Sequence, residues 1–298
     1  MKVVIGSRGS KLALVQSEEV KKALEAYDPT MKVEIKVITT KGDRILDQPL
    51  NKIGDKGLFT KEIEEELLFG KIDLAVHSMK DMPSLLPEGL KFTGSLKPAD
   101  PRDCMIFNHG YKSLNELPEG AIVGTGSPRR RYQLSLLRPD LKLVDIRGNV
   151  LTRLKKMQDE NMDAIVLACA GMKRLGLEDR IGQYFESNEM IPACAQGILA
   201  IEVKAGSPME EIMNQLADQE GTARLKLERL FLETIGGSCN APIACHIKLQ
   251  QTGIHLDAMY GTINSSYVIK VAKDLDQDIE ENIVRIAKEM KEQVLQHG

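Results

Sequence analysis

The chain carries one pattern twice, and that repetition limits the possible folds more than any other feature. The first copy runs Val-Val-Ile-Gly-Ser-Arg-Gly-Ser-Lys-Leu-Ala-Leu-Val-Gln from Val3, then Val-Glu-Ile-Lys-Val-Ile from Val33, then Ile-Asp-Leu-Ala-Val-His-Ser-Met-Lys-Asp-Met from Ile72. The second runs Ile-Val-Gly-Thr-Gly-Ser-Pro-Arg-Arg-Arg-Tyr-Gln-Leu from Ile122, then Leu-Lys-Leu-Val-Asp-Ile-Arg-Gly-Asn from Leu141, then Met-Asp-Ala-Ile-Val-Leu-Ala-Cys-Ala-Gly-Met-Lys-Arg from Met162. In each copy an apolar strand ends in a glycine- and serine-bearing loop with arginine, and a helix follows. Two similar α/β lobes are expected, with a polyanionic small molecule held between them. Ligands of open α/β sheets sit at strand ends, where backbone N–H groups and helix starts attract anions.

Length and composition set the outer limits. At 298 residues and 42% hydrophobic, the chain can bury several cores, so two or three domains are expected. No apolar run approaches the roughly 20 residues of a membrane span. Met1-Lys2 leads straight into a strand-like segment, so a soluble, cytoplasmic chain without membrane partners is expected. The formal net charge of −3 argues against a general nucleic-acid binder, so any anion site is local. Five cysteines, at Cys104, Cys169, Cys194, Cys239 and Cys245, show no paired C-x-x-C spacing and no disulfide framework.

Short β-rich runs at 2–6, 33–39, 72–77, 121–125, 142–147 and 163–169 alternate with helix-like stretches, the signature of a mostly parallel sheet. One helix starts after Ser10, a suitable N-cap; another places Phe59, Ile63 and Leu67 on one apolar face. The expected division is a first α/β lobe over 1–96 with 197–215, a second over 97–196, and an α+β domain over 216–298. The apolar run 198–203 is expected to return to the first lobe. The last domain is expected to hold a long helix, strands at 243–249, 254–260 and 267–272, and an amphipathic helix from Asp278.

Arg8, Arg129, Arg130, Arg131, Arg147, Arg153 and Arg174 lie in or beside loops after strands, with Ser7, Ser10, Thr125 and Ser127 nearby. Any one of them suits an ordinary solvated helix end. The recurrence of the set in both copies points to anion binding, since guanidinium groups grip carboxylates bidentately. Pro128 suits the first position of a helix and is expected to aim Arg129 and Arg130 at the helix mouth. Lys52 and Lys56 add a basic, glycine-containing loop suited equally to a lid or a plain surface loop.

Two further positions carry chemistry. Asp81 is the only carboxylate in His77-Ser78-Met79-Lys80-Asp81-Met82-Pro83; its spacing alone favours a helix cap before Pro83, and enclosure by basic groups would suit it to stabilise a cation. Cys239 sits in Ile-Gly-Gly-Ser-Cys-Asn-Ala-Pro-Ile, a small-residue loop that leaves a thiol open to covalent attachment. Cys239, Cys245 and His246 lack a fourth ligand at a familiar spacing, so no metal is expected.

These segments closely resemble the porphobilinogen deaminase family, and nearly the whole chain takes part. The matching stretches are 6–16, Lys-Gly-Leu-Phe-Thr-Lys-Glu at 56–62, Ala-Val-His-Ser-Met-Lys-Asp-Met-Pro at 75–83, Gly-Thr-Gly-Ser-Pro-Arg-Arg at 124–130, Arg-Gly-Asn-Val at 147–150 and Ala-Gly-Met-Lys-Arg-Leu-Gly at 170–176. Glu228-Arg229 leading to Gly237-Ser238-Cys239 and Pro242 completes the set. The resemblance implies an α/β fold of two lobes like periplasmic binding proteins plus a C-terminal α+β domain. It also implies a transferase, typically monomeric, that condenses four porphobilinogen molecules head to tail with loss of ammonia and then releases hydroxymethylbilane by hydrolysis.

The same resemblance assigns roles. Cys239 would hold a dipyrromethane cofactor by a thioether, and Asp81 would be the catalytic carboxylate, which overrides the cap suggested by spacing. Lys80, Asp81, Ser78, Ser127, Arg129, Arg130 and Arg147 would contact cofactor; Arg8, Ser10, Arg147, Arg153, Lys56, Arg174 and Gln196 would contact substrate. The chain departs from the family pattern at Ser238, Ala241, Gly126 and Pro128. Ala195 replaces the first glycine of a Gly-Gln-Gly turn, where a positive φ would be costly for alanine. The two-lobed fold by itself would equally suit a solute-binding protein without chemistry; the Cys239 loop weighs against that alternative.

Overall fold

The computed structural model describes residues 1–44, 60–83, 85–236, 241–262 and 267–297. The chain forms two compact units, Met1–Ala99 with Ile198–Ala223, and Asp100–Gly197 with Arg224–Gly298.

The first unit is built on a five-stranded sheet. Its strands are β1 (Lys2–Ser7), β2 (Lys32–Val37), β3 (Leu74–Ser78), β4 (Leu90–Phe92) and, from the returning chain, β10 (Leu199–Lys204), in the order β2-β1-β3-β10-β4. β1 is parallel to β2 and β3, whereas β10 runs antiparallel to both β3 and β4. Helix α1 (Lys11–Tyr27) covers one face, where Val3, Ile5, Val20, Leu24, Leu74, Val76 and Ile201 share a core. Helix α2 (Lys61–Leu68) covers the other, with Ile63 and Leu67 packed on Ile72 and Ala75. Each such side chain, once buried, contributes roughly 1.5–3 kcal/mol, so both faces of the sheet are held shut by apolar contact. Phe59, expected on the α2 face, lies outside the described residues.

The sheet of the second unit repeats the plan: β5 (Asp103–Phe107), β6 (Ile122–Gly124), β7 (Lys142–Val144), β8 (Ala164–Ala168) and β9 (Gln183–Tyr184) are ordered β7-β6-β8-β5-β9. Again three strands are parallel and the fourth is antiparallel. The repetition extends to single atoms. Val4 N–H donates to the Asp73 carboxylate at 2.7 Å in the first unit, and Ile122 N–H donates to the Asp163 carboxylate at 2.7 Å in the second. Helices α3 (Pro128–Leu137), α4 (Val150–Asp159) and α5 (Cys169–Arg174) follow β6, β7 and β8.

The second unit also contains an antiparallel sheet of β11 (Ala244–Leu249), β12 (Ile254–Gly261) and β13 (Val268–Leu275). Helix α6 (Gln219–Ile235) and helix α7 (Ile279–His297) share its core, with Phe231, Ile235, Ile283, Ala287, Met290 and Val294 buried against Ile247, Leu256 and Ala258. Gly253 closes the β11–β12 turn at φ 82°, where an added Cβ would strike the carbonyl oxygen of Leu275.

Two α/β sheets and a C-terminal α+β element match the expected fold class; the α+β element belongs to the same compact unit as the second sheet. The expected strands lie within a few residues of those observed, and the run 198–203 does join the first sheet. The strands β4, β5 and β9 went unanticipated. β4 and β9 are only three and two residues long, and β5 follows directly on the proline-bearing segment 97–102, whose turn chemistry masks the strand behind it.

Candidate active site

In the first unit, β1 and β3 are parallel neighbours, with Ile5 paired to Leu74 and Gly6 to Ala75, so both chains leave the sheet at the same edge. After β1 come a half-buried Arg8, Gly9 and Ser10. Ser10 caps α1, its hydroxyl accepting the Ala13 N–H at 3.2 Å. After β3 the chain makes one 3-10 turn, Met79–Asp81. Met79 is buried and its N–H donates to the Ile198 carbonyl at 3.0 Å, which leaves Lys80 half-buried and Asp81 exposed at the edge. Asp81 caps no helix: it ends the turn, and Met82 N–H closes it on the Met79 carbonyl at 3.1 Å. Gln16, buried on α1, donates to the Ser78 hydroxyl at 2.8 Å and ties the two loops together.

The corresponding edge of the second unit is richer in charge. Ser127 caps α3, accepting the Arg130 N–H at 3.4 Å, and Pro128 takes the first helical position. Arg129 and Arg130 do not point out at the helix mouth. Both are buried, about 5% exposed, on the carboxylate of Asp103, itself fully buried at the start of β5. Arg129 Nη1 meets Asp103 Oδ2 at 2.5 Å and the Ile191 carbonyl at 2.7 Å. Arg130 donates to Asp103 Oδ1 from Nη2 at 2.7 Å and Nε at 3.0 Å, and to the Val166 carbonyl at 3.0 Å. Burial lowers the affinity of the Arg129 guanidinium for its proton, and the Asp103 charge opposes that shift. Gln196 belongs to the same cluster, its amide donating to Asp103 at 3.0 Å and to the Pro101 carbonyl at 2.6 Å.

The other arginines remain nearer the surface. Arg147 is exposed; Arg153 is half-buried on α4 and donates to the Gly148 carbonyl at 2.7 Å; Arg174 reaches the Gly197 carbonyl at 3.3 Å. Arg131 is braced by the Leu143 carbonyl at 2.6 Å and Asp145 at 2.8 Å. Cys239, Lys52 and Lys56 lie outside the described residues. Cys245 is buried in the core of the antiparallel sheet, and His246 Nδ1 lies 3.3 Å from the Glu228 carboxylate. No cluster of three or more His, Cys, Asp or Glu side chains suited to a metal occurs among the described residues, and no helix searched there is long and apolar enough to cross a membrane.

Asp103 was not among the residues expected at the site, although a lone acid heading the apolar run Cys104–Phe107 is the sign of a charge carried into a buried strand. Gln16 gave no such sign, because a glutamine on a helix face reads as solvated.

Comparison with known proteins identifies the family. The model of "Porphobilinogen deaminase, dipyromethane cofactor binding domain" matches residues 3–211, and that of "Porphobilinogen deaminase, C-terminal domain" matches residues 222–292. The chain is 51% identical to the porphobilinogen deaminase of Clostridioides difficile, covering 94% of this chain and 92% of that one. It is 45% identical to the porphobilinogen deaminase of Clostridium novyi over 99% of both chains. Among solved structures, the substrate binding domain of a putative molybdenum ABC transporter from Clostridium difficile aligns over 76% of this chain and 96% of that chain, at 10% identity and a TM-score of 0.43. The two family models together span nearly the whole length, and the chain belongs to the porphobilinogen deaminase family.

Proposed function

We propose that the chain works as a hydroxymethylbilane synthase. It joins four porphobilinogen molecules head to tail, with loss of ammonia at each step, on a dipyrromethane cofactor, and releases hydroxymethylbilane for tetrapyrrole biosynthesis. The single observation that carries the assignment is the match of both family domains across residues 3–211 and 222–292.

The donor set suits a ligand rich in carboxylates: guanidinium groups, hydroxyls and helix starts gather at strand ends, with Asp81 the exposed acid of the Met79–Asp81 turn. Cys239 would hold the dipyrromethane by a thioether, and the free α-carbon of its terminal ring would accept the first porphobilinogen, each later unit joining the ring added before it. Asp81 accepts pyrrole N–H groups, stabilises the cation that forms as ammonia leaves, and takes up the displaced ring proton. Lys80, next to it, neutralises acetate or propionate groups. Arg8, Arg147 and Arg153 take substrate carboxylates, with Ser10 and Ser78 positioned by their cap and their Gln16 bond. Arg129 and Arg130, engaged by Asp103, present the Ser127 loop and lend it positive charge. Lys56 and Arg174 complete the substrate set in this proposal, and Gln196, expected to contact substrate, is instead buried on Asp103 and supports the Arg129–Arg130 cluster.

A monomeric, cytoplasmic protein belongs to the same proposal; the described cysteines, Cys104, Cys169, Cys194 and Cys245, are all free thiols, as a reducing compartment keeps them. Intact mass of the purified protein beside Cys239→Ser tests the core of it. The native chain is expected to carry the added mass of two linked pyrrole units and the variant to lack it. An equal added mass on Cys239→Ser would remove the attachment from that residue, and no covalent gain on adding porphobilinogen would favour a binding protein.

A further inference from the structure

Side chains of the first sheet alternate between its two faces. Leu74 and Val76 of β3, and Leu199, Ile201 and Val203 of β10, join the core beneath α1. The intervening positions therefore face α2, and two of them are charged: His77 on β3 and Glu202 on β10. The register pairs Ala200 with His77 and Glu202 with Ala75, which makes His77 and Glu202 diagonal neighbours across the antiparallel pair. His77 Nε2 lies 3.4 Å from Glu202 Oε2. Glu64 comes down from α2 as the third member; burial raises the proton affinity of its carboxyl, the Glu202 charge adds to the rise, and His77 opposes it.

All three are enclosed, with His77 7%, Glu64 6% and Glu202 0% exposed. Both Glu202 oxygens, His77 Nε2 and Glu64 Oε1 are buried without a hydrogen-bond partner. Leaving buried polar atoms unpaired is expensive, and apolar side chains of similar size would usually hold the same elements together at lower cost. The cluster's place on the chain gives it a use. His77 is followed directly by Ser78 and the Met79–Asp81 turn, and Met79 N–H bonds the Ile198 carbonyl immediately before β10. The β3–β10 junction thus carries Lys80 and Asp81, and on its buried face, among the described residues, His77 of β3 faces Glu202 of β10 with Glu64 beside them.

We propose that His77 and Glu202, with Glu64 beside them, form a buried positioning unit that aligns the Lys80–Asp81 turn for the condensation, a role resting on Asp81 as the catalytic carboxylate. In the tautomer that carries its proton on Nε2, His77 is attracted to Glu202 3.4 Å away, and that attraction holds the ends of β3 and β10 together. When that attraction is lost, the turn keeps its fold and loses its aim.

The test compares Glu202→Gln, His77→Gln and the double variant in the cofactor-loaded protein, reading kcat, KM, thermal midpoint and loading by intact mass. Each single change is expected to lower kcat about ten- to hundredfold, with KM within about twofold and loading intact, as for groups that act through Asp81 without touching substrate. The double variant, an amide pair able to match donor with acceptor, is expected to be no worse than the weaker single. A fall in thermal midpoint with kcat unchanged overturns the proposal, as do losses that simply multiply in the double. Should Glu202→Gln not yield folded protein, His77→Gln alone decides by the same criteria. Impaired turnover in Asp81→Asn beside normal His77 and Glu202 variants sinks this proposal alone; normal turnover in Asp81→Asn sinks the catalytic assignment with it.

Discussion

The Glu228 carboxylate accepts the backbone N–H of Ala195 at 2.5 Å while Ala195 holds a φ of 58°. An alanine in the left-handed region is strained by about 1–2 kcal/mol, so the bond holds a conformation the residue would otherwise leave. The other Glu228 oxygen accepts the Ile247 N–H at 3.0 Å and lies 3.1 Å from Arg224 Nε. One buried carboxylate thus joins the segment before β10, helix α6 and strand β11.

From that relationship the substitutions at position 195 should rank by backbone tolerance. Ala195→Gly is expected to be at least as stable as the native chain. Ala195→Val, β-branched at a positive φ in a buried site, is expected to lose about 2 kcal/mol. Urea denaturation of the three proteins checks the order; a Val variant as stable as native would show that the strain is absent.

Asp103 balances two buried guanidinium groups, so its removal leaves both without their carboxylate. Asp103→Ala is expected to cost about 3–5 kcal/mol, a large share of the roughly 5–15 kcal/mol typical of a folded domain. Equilibrium unfolding of the purified variant measures it, and a loss below about 1 kcal/mol would mean that solvent reaches Arg129 and Arg130.

Asp100 should contribute a distinct share of the stability lost in acid. Burial alone would raise its pKa; hydrogen bonds from the Arg102 side chain and backbone and from Lys173 outweigh burial and hold it down to about 2. A depressed carboxylate stabilises the fold above its unfolded value and loses that contribution as pH falls through its folded one. The contribution, roughly 2 kcal/mol, should be present above about pH 4 and vanish toward pH 2. Unfolding free energies at pH 5 and pH 3 should converge between native protein and Asp100→Asn as the pH falls; a gap of constant size would contradict the assignment.

Asp81→Asn is expected to load cofactor and almost stop elongation, because an amide cannot stabilise the developing cation as a carboxylate does. Arg147→Ala should raise the porphobilinogen concentration needed for half-maximal rate or stall intermediates, since the proposed function gives this exposed arginine the substrate carboxylates. Ammonia release and the mass distribution of loaded intermediates check both. Unchanged kinetics in either variant would take that residue out of the site.

Much of the architecture was legible before any coordinates. The doubled pattern announced two sheets, because strands and their glycine loops are local features written in consecutive residues. Ser10 as a cap and Pro128 at a helix start are local in the same sense. The partners of Arg129 and Arg130 were not legible. Asp103 stands 26 residues before Arg129, beyond a turn-rich stretch, and the two meet only when β5 lies antiparallel to β8 beneath α3.

The sequence by itself determined the repeated strand–loop–helix units, their likeness to the porphobilinogen deaminase family and the residue types needed to hold a polyanionic pyrrole chain. Tertiary structure alone decided which of those charges stay at the surface and which are spent inside: Arg147 exposed, Arg129 and Arg130 enclosed on Asp103, His77 and Glu202 face to face under α2. The physical reason is that backbone preference depends on neighbours along the chain. Burial, ion pairing and hydrogen bonding depend on strand order and register, which bring distant residues within about 3 Å of one another.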